Sequence, residues 1–456
     1  MSRAPSVSPK CNANKKSLKD CVRHFTPAWF AVIMGTGIVS ILWHNYPYDG
    51  PSKTFTVFTY TFFFLNLTLF LIFNVLTVAR YIIFPDIWSL MIRHPVQSLY
   101  LGCYPMGLTT LINIAVILVY QQDRIGGKRF LHFVWGIWWI DIVLSFCCVF
   151  GLVHWMKTRQ DHALSKMTAI WLLPVVTFIV ASSTGGILAP ALLEHSRYHA
   201  LITLTVSAFM VFVGLSLAFM IFSAYILRLI TCGVPPGASV ISTFIPLGPM
   251  GQGGYSMLLL GQGFRAVLPL SNSSQVLSDP RTGETLNVIC VAAGFVLWAI
   301  ATMWFLYALL AVSELLNPWS EAEKFPFKLP VWGLIFPNGV YANLTLQLAK
   351  ELDIKSLRVY GAIHAAATLI LWSLVFTRTL TLLHHGRIFD SPCIEEIDMG
   401  RKNRKDLNEE LTYRHHEQQE EEAMVELQQG LADGDLIGEV WRDGDSRAVT
   451  IRPMDM

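Results

Sequence analysis

Runs of roughly 20 apolar residues recur along this chain between short polar stretches, and each is long enough to cross a bilayer core as a helix. Ten such spans are predicted, near 27–46, 56–83, 98–120, 131–156, 168–192, 200–230, 236–263, 287–315, 330–350 and 357–383. The stretch from Phe84 to Gln97 is shorter and more mixed, and fits an interfacial segment. Residues 1–24 are polar, and after about residue 386 the chain becomes charged and largely acidic. The pattern therefore predicts an N-terminal tail (1–24), a transmembrane domain (25–385) and a C-terminal tail (386–456). The second tail has the composition of a largely disordered segment. A sparse apolar stripe at Leu407, Leu411, Met424 and Leu427 leaves room for local helix.

The odd and even spans differ. Even spans are rich in Phe, Leu, Ile and Trp, with few Pro or Gly at their centres. Odd spans carry Gly35-Thr36-Gly37, Tyr104-Pro105-Met106-Gly107, Pro174 with Ser182-Ser183-Thr184-Gly185-Gly186, Ile245-Pro246-Leu247-Gly248-Pro249-Met250-Gly251-Gln252-Gly253-Gly254, and Phe336-Pro337-Asn338-Gly339. A membrane helix must satisfy its own backbone, so such segments are tolerated only where protein or a water-filled cavity surrounds them. Paired or repeated interruptions point to a transport path. Pro105, Pro174, Pro249 and Pro337 recur at intervals of roughly 70–90 residues, about one helical hairpin with its loops.

The pattern predicts an all-α polytopic fold of ten helices in five hairpins around a central pore. Kinked odd helices would form an inner ring, and straight even helices an outer ring facing lipid. Candidate path residues are Gly35, Thr36, Gly37, Pro105, Gly107, Thr110, Ser182, Ser183, Pro249, Gly251, Gln252, Pro337 and Asn338. With almost no Lys or Arg on the inner spans, an anion would be held by backbone N–H groups at helix N-termini and by neutral donors. Such weak holding suits conduction. The same Gly and Pro residues also suit plain helix packing.

Composition agrees. The chain is 53% hydrophobic and only 14% charged, against about 25% charged for soluble domains. The basic N-terminal tail and the even span count predict both termini in the cytoplasm. Asn272-Ser273-Ser274 would then be an external glycosylation sequon. The eight cysteines show no CxxC or Cys/His spacing and read as small packing residues. No metal pattern, cofactor motif, nucleophile elbow or paired catalytic carboxylate is present in the spans, so no cofactor and no enzyme activity are expected. Nothing marks a nucleic-acid partner. Asp141 is the exception to the apolar even spans: an intramembrane carboxylate is costly, and either carries protons or holds helices or subunits together. His154 and His364 read as hydrogen-bonded core residues. Arg358 is placed to neutralise Asp353 or Glu351.

The strings Tyr104-Pro105-Met106-Gly107, Trp138-Trp139-Ile140-Asp141, Leu247-Gly248-Pro249-Met250-Gly251-Gln252-Gly253 and Phe336-Pro337 resemble the fungal sulfite efflux pumps of the tellurite-resistance/dicarboxylate transporter family. The resemblance covers about residues 22–385. It implies five hairpins around a pore, trimeric assembly in lipid, and a gate formed by the span-nine phenylalanine, here Phe336. It also implies plasma-membrane export of sulfite or hydrogen sulfite, giving sulfite tolerance. Malate or another C4-dicarboxylate transporter, or a gated small-anion channel, are the alternatives on the same fold.

Overall fold

The structure is a computed structural model that describes residues 17–48, 52–270, 274–315, 327–384, 388–389, 391–432, 439–442 and 449–452. The sequon residue Asn272 lies outside the described residues. Ten helices occupy the apolar runs: α1 (Phe30–His44), α2 (Lys53–Ile83), α3 (Cys103–Ile114), α4 (Gly127–Phe146), α5 (Leu173–Leu193), α6 (Arg197–Cys232), α7 (Leu247–Val267), α8 (Pro280–Leu315), α9 (Ile335–Glu351) and α10 (Lys355–His384). Together with the 3-10 and π turns that continue them, eight are long and apolar enough to cross a membrane. The other two are α7, diluted by glycine and glutamine, and α9, diluted by Asn338, Asn343 and Gln347. Between α2 and α3 the short helix Asp86–Arg93 buries Ile87 and Met91 and exposes Trp88 and Leu90, the division an interfacial helix needs.

Consecutive helices pack in pairs: α1 on α2, α3 on α4, α5 on α6, α7 on α8 and α9 on α10. Each odd helix also touches the next, from α1 through α3, α5 and α7 to α9, and α9 returns to α1. Burial follows this order. The most apolar stretch of α5 is 100% buried and that of α1 89%, whereas for α2 it is 22% and for α8 28%. The large exposed side chains along the middle of the even helices, such as Leu71, Val75, Phe212, Val296 and Leu310, are apolar, as a lipid-facing surface requires.

Two expectations need correction. The four recurring prolines of the odd spans do not stand in the middle of α-helices, although Pro190 lies inside α5. The 3-10 turns Pro27–Trp29, Gln97–Gly102, Ala169–Leu172, Gly237–Phe244 and Leu329–Leu334 lead into them. Pro105, Pro174, Pro249 and Pro337 then fall within the first three residues of the α-helical part. A proline is tolerated in that first turn, where N–H groups lack ordinary intrahelical acceptors. The glycine-rich run of α7 accordingly continues without a break to Val267. Its glycines serve close approach instead: a Cβ on Gly251 would lie 2.9 Å from the backbone nitrogen of Tyr341 on α9. The even helices are not all straight either. Six residues of π-helix, Cys147–Leu152, interrupt α4 before it resumes at Val153–Thr158. Such a π-bulge shifts the helical register and bends the helix locally.

The chain from Pro392 onward is a separate compact unit. It contains one long helix, α11 (Pro392–Ala432), and a two-stranded antiparallel ladder. In the ladder β1 (Glu439–Arg442) pairs with β2 (Val449–Arg452), with Val440 opposite Ile451.

Candidate anion path

A small, partly open cavity lies among the starts of the five odd helices. Ala31 and Met34 of α1, Cys103 and Met106 of α3, Leu173 and Val176 of α5, Gly248 and Pro249 of α7, and Phe336 and Pro337 of α9 line it. Tyr100, Ile245, Pro330, Trp332 and Gly333 from the preceding turns complete the wall. All five helices thus present their N-terminal turns to one space, and the positive ends of their dipoles surround it. No Lys, Arg, Asp or Glu is among the lining residues. The arrangement can attract an anion through backbone field alone, while its apolar side chains discourage tight binding.

Three of the sequence-derived candidates, Pro249, Phe336 and Pro337, stand in this wall. Phe336 is the second residue of α9 and is 4% exposed. The other candidates form the seams around it. Ser182 donates to the Ser207 carbonyl at 2.7 Å and its oxygen lies 2.6 Å from Ser256 Oγ. Gln252 donates to Ser183 Oγ, which itself donates to the Val180 carbonyl at 2.8 Å. These bonds stitch α5 to α6 and α7. Thr36, Thr110 and Asn338 turn toward even helices. Thr36 accepts from Trp372 Nε1 at 3.3 Å, and Thr110 accepts from Asn66 Nδ2 at 3.3 Å. Asn338 lies 3.2 Å from His364 Nε2 on α10. Gly35, Gly37, Gly107 and Gly251 mark helix crossings. A Cβ on Gly35 would meet Trp332 at 2.9 Å, one on Gly107 would meet Ile33 at 3.1 Å, and one on Gly37 would collide with Thr110. Pro105 sits in the first turn of α3, between the cavity-lining Cys103 and Met106.

Sequence reasoning missed Tyr100 and Trp332. Each lies five residues before its helix's proline, in the 3-10 turn, and that shared offset was the available signal.

Asp141 is away from the cavity wall. It is fully buried on α4, and neither carboxyl oxygen has a hydrogen-bond partner among the described residues. Ser145, one turn further on, is equally buried, and its hydroxyl also lacks a partner there. His364 is buried and hydrogen-bonded, as expected, but His154 is exposed, because the last turns of α4 pass out of the packed region. Arg358 pairs with Asp353 at 3.0 Å.

At the opposite ends of α3 and α5, Arg124 Nη1 reaches Glu194 at 2.9 Å, and the Tyr120 hydroxyl donates to the same carboxylate at 3.0 Å. Partial desolvation is the largest single influence on Glu194 and acts upward. The hydrogen bonds and the Arg124 and His195 charges outweigh it and hold the carboxyl below its ordinary range.

Fold and site together define a multi-pass membrane protein of the channel and transporter class, with a path suited to an anion. Residues 24–380 match the family model described as voltage-dependent anion channel, and the chain belongs to that SLAC1 family. The sulfite efflux pump SSU1 of Trichophyton rubrum is 32% identical over 368 residues, covering 81% of this chain and 93% of the relative. The sulfite efflux pump SSU1 of Candida albicans is 25% identical, covering 78% of this chain and 73% of the relative. The malic acid transport protein of Schizosaccharomyces pombe is 22% identical, with 78% of each chain covered.

Proposed function

We propose that this protein exports sulfite or hydrogen sulfite across the plasma membrane, through a central path enclosed by five helical hairpins and gated by Phe336. The observation that carries the reading is the convergence of five helix N-termini, free of charged side chains, on one apolar cavity with Phe336 in its wall. The sulfite-pump relatives supply the cargo. Both termini lie in the cytoplasm, which makes the cavity the cytoplasmic vestibule. A negative-inside potential drives anions outward by about 2.3 kcal/mol per charge per 100 mV. Trimeric assembly in lipid completes the arrangement.

A phenyl ring closes such a path by filling it and keeping water out. Gly35, Gly107, Gly251 and their neighbours set the closeness of the ring of helices, and the Ser182, Ser183 and Gln252 seam fixes α5 against α7. Asp141 acts as a proton-linked carboxylate: a residue kept only to hold helices together would be hydrogen-bonded, and both its oxygens lack partners among the described residues.

Expression in a fungus lacking its own sulfite pump tests the cargo. Sulfite tolerance and faster sulfite release are expected. Surface display without either would remove the sulfite reading, and malate uptake by the same cells would establish the dicarboxylate alternative.

A further inference from the structure

Two hydrogen bonds tie α10 to the stretch that carries Phe336, one on each side of it. Before it, Trp332 Nε1 donates to Thr379 Oγ1 at 3.0 Å. After it, His364 Nε2 meets Asn338 Oδ1 at 3.2 Å. The chemistry of the second bond is fixed by its neighbours. Asn338 Nδ2 donates to the Leu334 carbonyl at 2.7 Å, which sets the amide's orientation. The oxygen left facing His364 can only accept, so Nε2 is the protonated nitrogen of this pair. The imidazole is held edge-on by Phe305 of α8 and Tyr341 of α9, each 5.0 Å away between ring centroids. Tyr341 is anchored in turn by Thr302 at 2.7 Å and Tyr360 at 3.2 Å.

Leu334 ends the 3-10 turn and Ile335 begins α9. Pro337 has no N–H, so the Gly333 carbonyl loses its usual α-helical donor just where the helix type changes. Asn338 bridges this weakened junction, with its amide nitrogen on the 3-10 carbonyl and its amide oxygen on α10. Phe336 lies between the two attachments.

We infer that His364 is a positioning residue for the gate: through Asn338 it holds the 3-10/α junction of α9 and thereby the depth of the Phe336 ring in the cavity. This rests on the reading of Phe336 as the gate. Without the imidazole, the buried Asn338 Oδ1 is left unpaired, and the junction relaxes to satisfy it.

The test uses the full chain in liposomes, with passive sulfite flux measured for wild type, His364→Leu, His364→Gln, Phe336→Ala and the His364→Leu/Phe336→Ala double variant. His364→Leu should raise the leak roughly two- to tenfold, the range one neutral hydrogen bond controls. His364→Gln, whose amide restores a donor, should return it toward wild type. In the Phe336→Ala background His364→Leu should add almost nothing, because no ring remains to be positioned. A leak raised by Phe336→Ala but untouched by His364→Leu would overturn the latch and leave the gate standing. An equal fold-effect of His364→Leu in both backgrounds would also overturn it. If Phe336→Ala itself changes nothing, gate and latch fall together. Should His364→Leu not yield folded protein, Asn338→Ala cuts the same bond from the other side and is read the same way.

Discussion

α7 and α8 are adjacent in sequence and packed on each other, yet they obey opposite rules. α8 has 36 residues, and only 28% of its most apolar stretch is buried. α7 has 21 residues, buried over most of its length, and is too polar to count as a membrane span by hydropathy. The contrast shows that a helix screened from lipid need not be apolar throughout, while α5, wholly buried yet apolar, shows that screening permits polar positions without requiring them. A helix screened by other helices is released from the demand for apolar bulk and can spend its positions on glycine, hydroxyls and amides. α9 shows the same release, and its partner α10 is apolar enough to cross.

Added bulk on a screened helix and on a lipid-facing one should have opposite outcomes. Gly251 abuts the α9 backbone, with Tyr341 N at 2.9 Å and the Val340 carbonyl carbon at 3.1 Å from an added Cβ. Gly136 of α4 has nothing within 4 Å. Overpacking of this kind typically costs about 1–3 kcal/mol, and backbone has nowhere to move. Gly251→Leu should therefore abolish monodisperse folded protein in detergent, whereas Gly136→Leu should leave yield and melting temperature near wild type. Equal tolerance at both positions would mean that α7 and α9 are not held as closely as described.

A smaller effect probes an even helix that carries a buried carboxyl. Asp141 puts a buried carboxyl without a hydrogen-bond partner among the described residues into the middle of α4. Asp141→Asn keeps the shape and removes the titration, so it should flatten the pH dependence of sulfite efflux while leaving expression unchanged. An unaltered pH profile with normal expression would return Asp141 to a packing role.

Much of this division was legible in the sequence. The ten apolar runs lie within several residues of the helices and their leading turns, and the odd-span prolines mark where four of the five inner helices begin. Pro249, Phe336 and Pro337, singled out from sequence, do line the cavity. The facing of the polar candidates was not legible, for a physical reason. A helix buried on every side, as α5 is over nearly its whole length, has no amphipathic stripe to say which face meets the axis. Thr36 and Asn338 turned out to face α10, and Thr110 to face α2. The prolines misled for a related reason. The apolar runs include the 3-10 turns, so a proline in the first α-helical turn reads as if it were well inside the span.

The central claim is that the inner ring conducts sulfite and that Phe336 closes it. The most direct measurement is sulfite release from liposomes containing the purified full-length chain, wild type beside Phe336→Ala, at matched protein content. Wild type should release sulfite above protein-free liposomes, and Phe336→Ala should leak several-fold more. Sulfite release that is indistinguishable between the two, or absent from both while malate crosses, would contradict it.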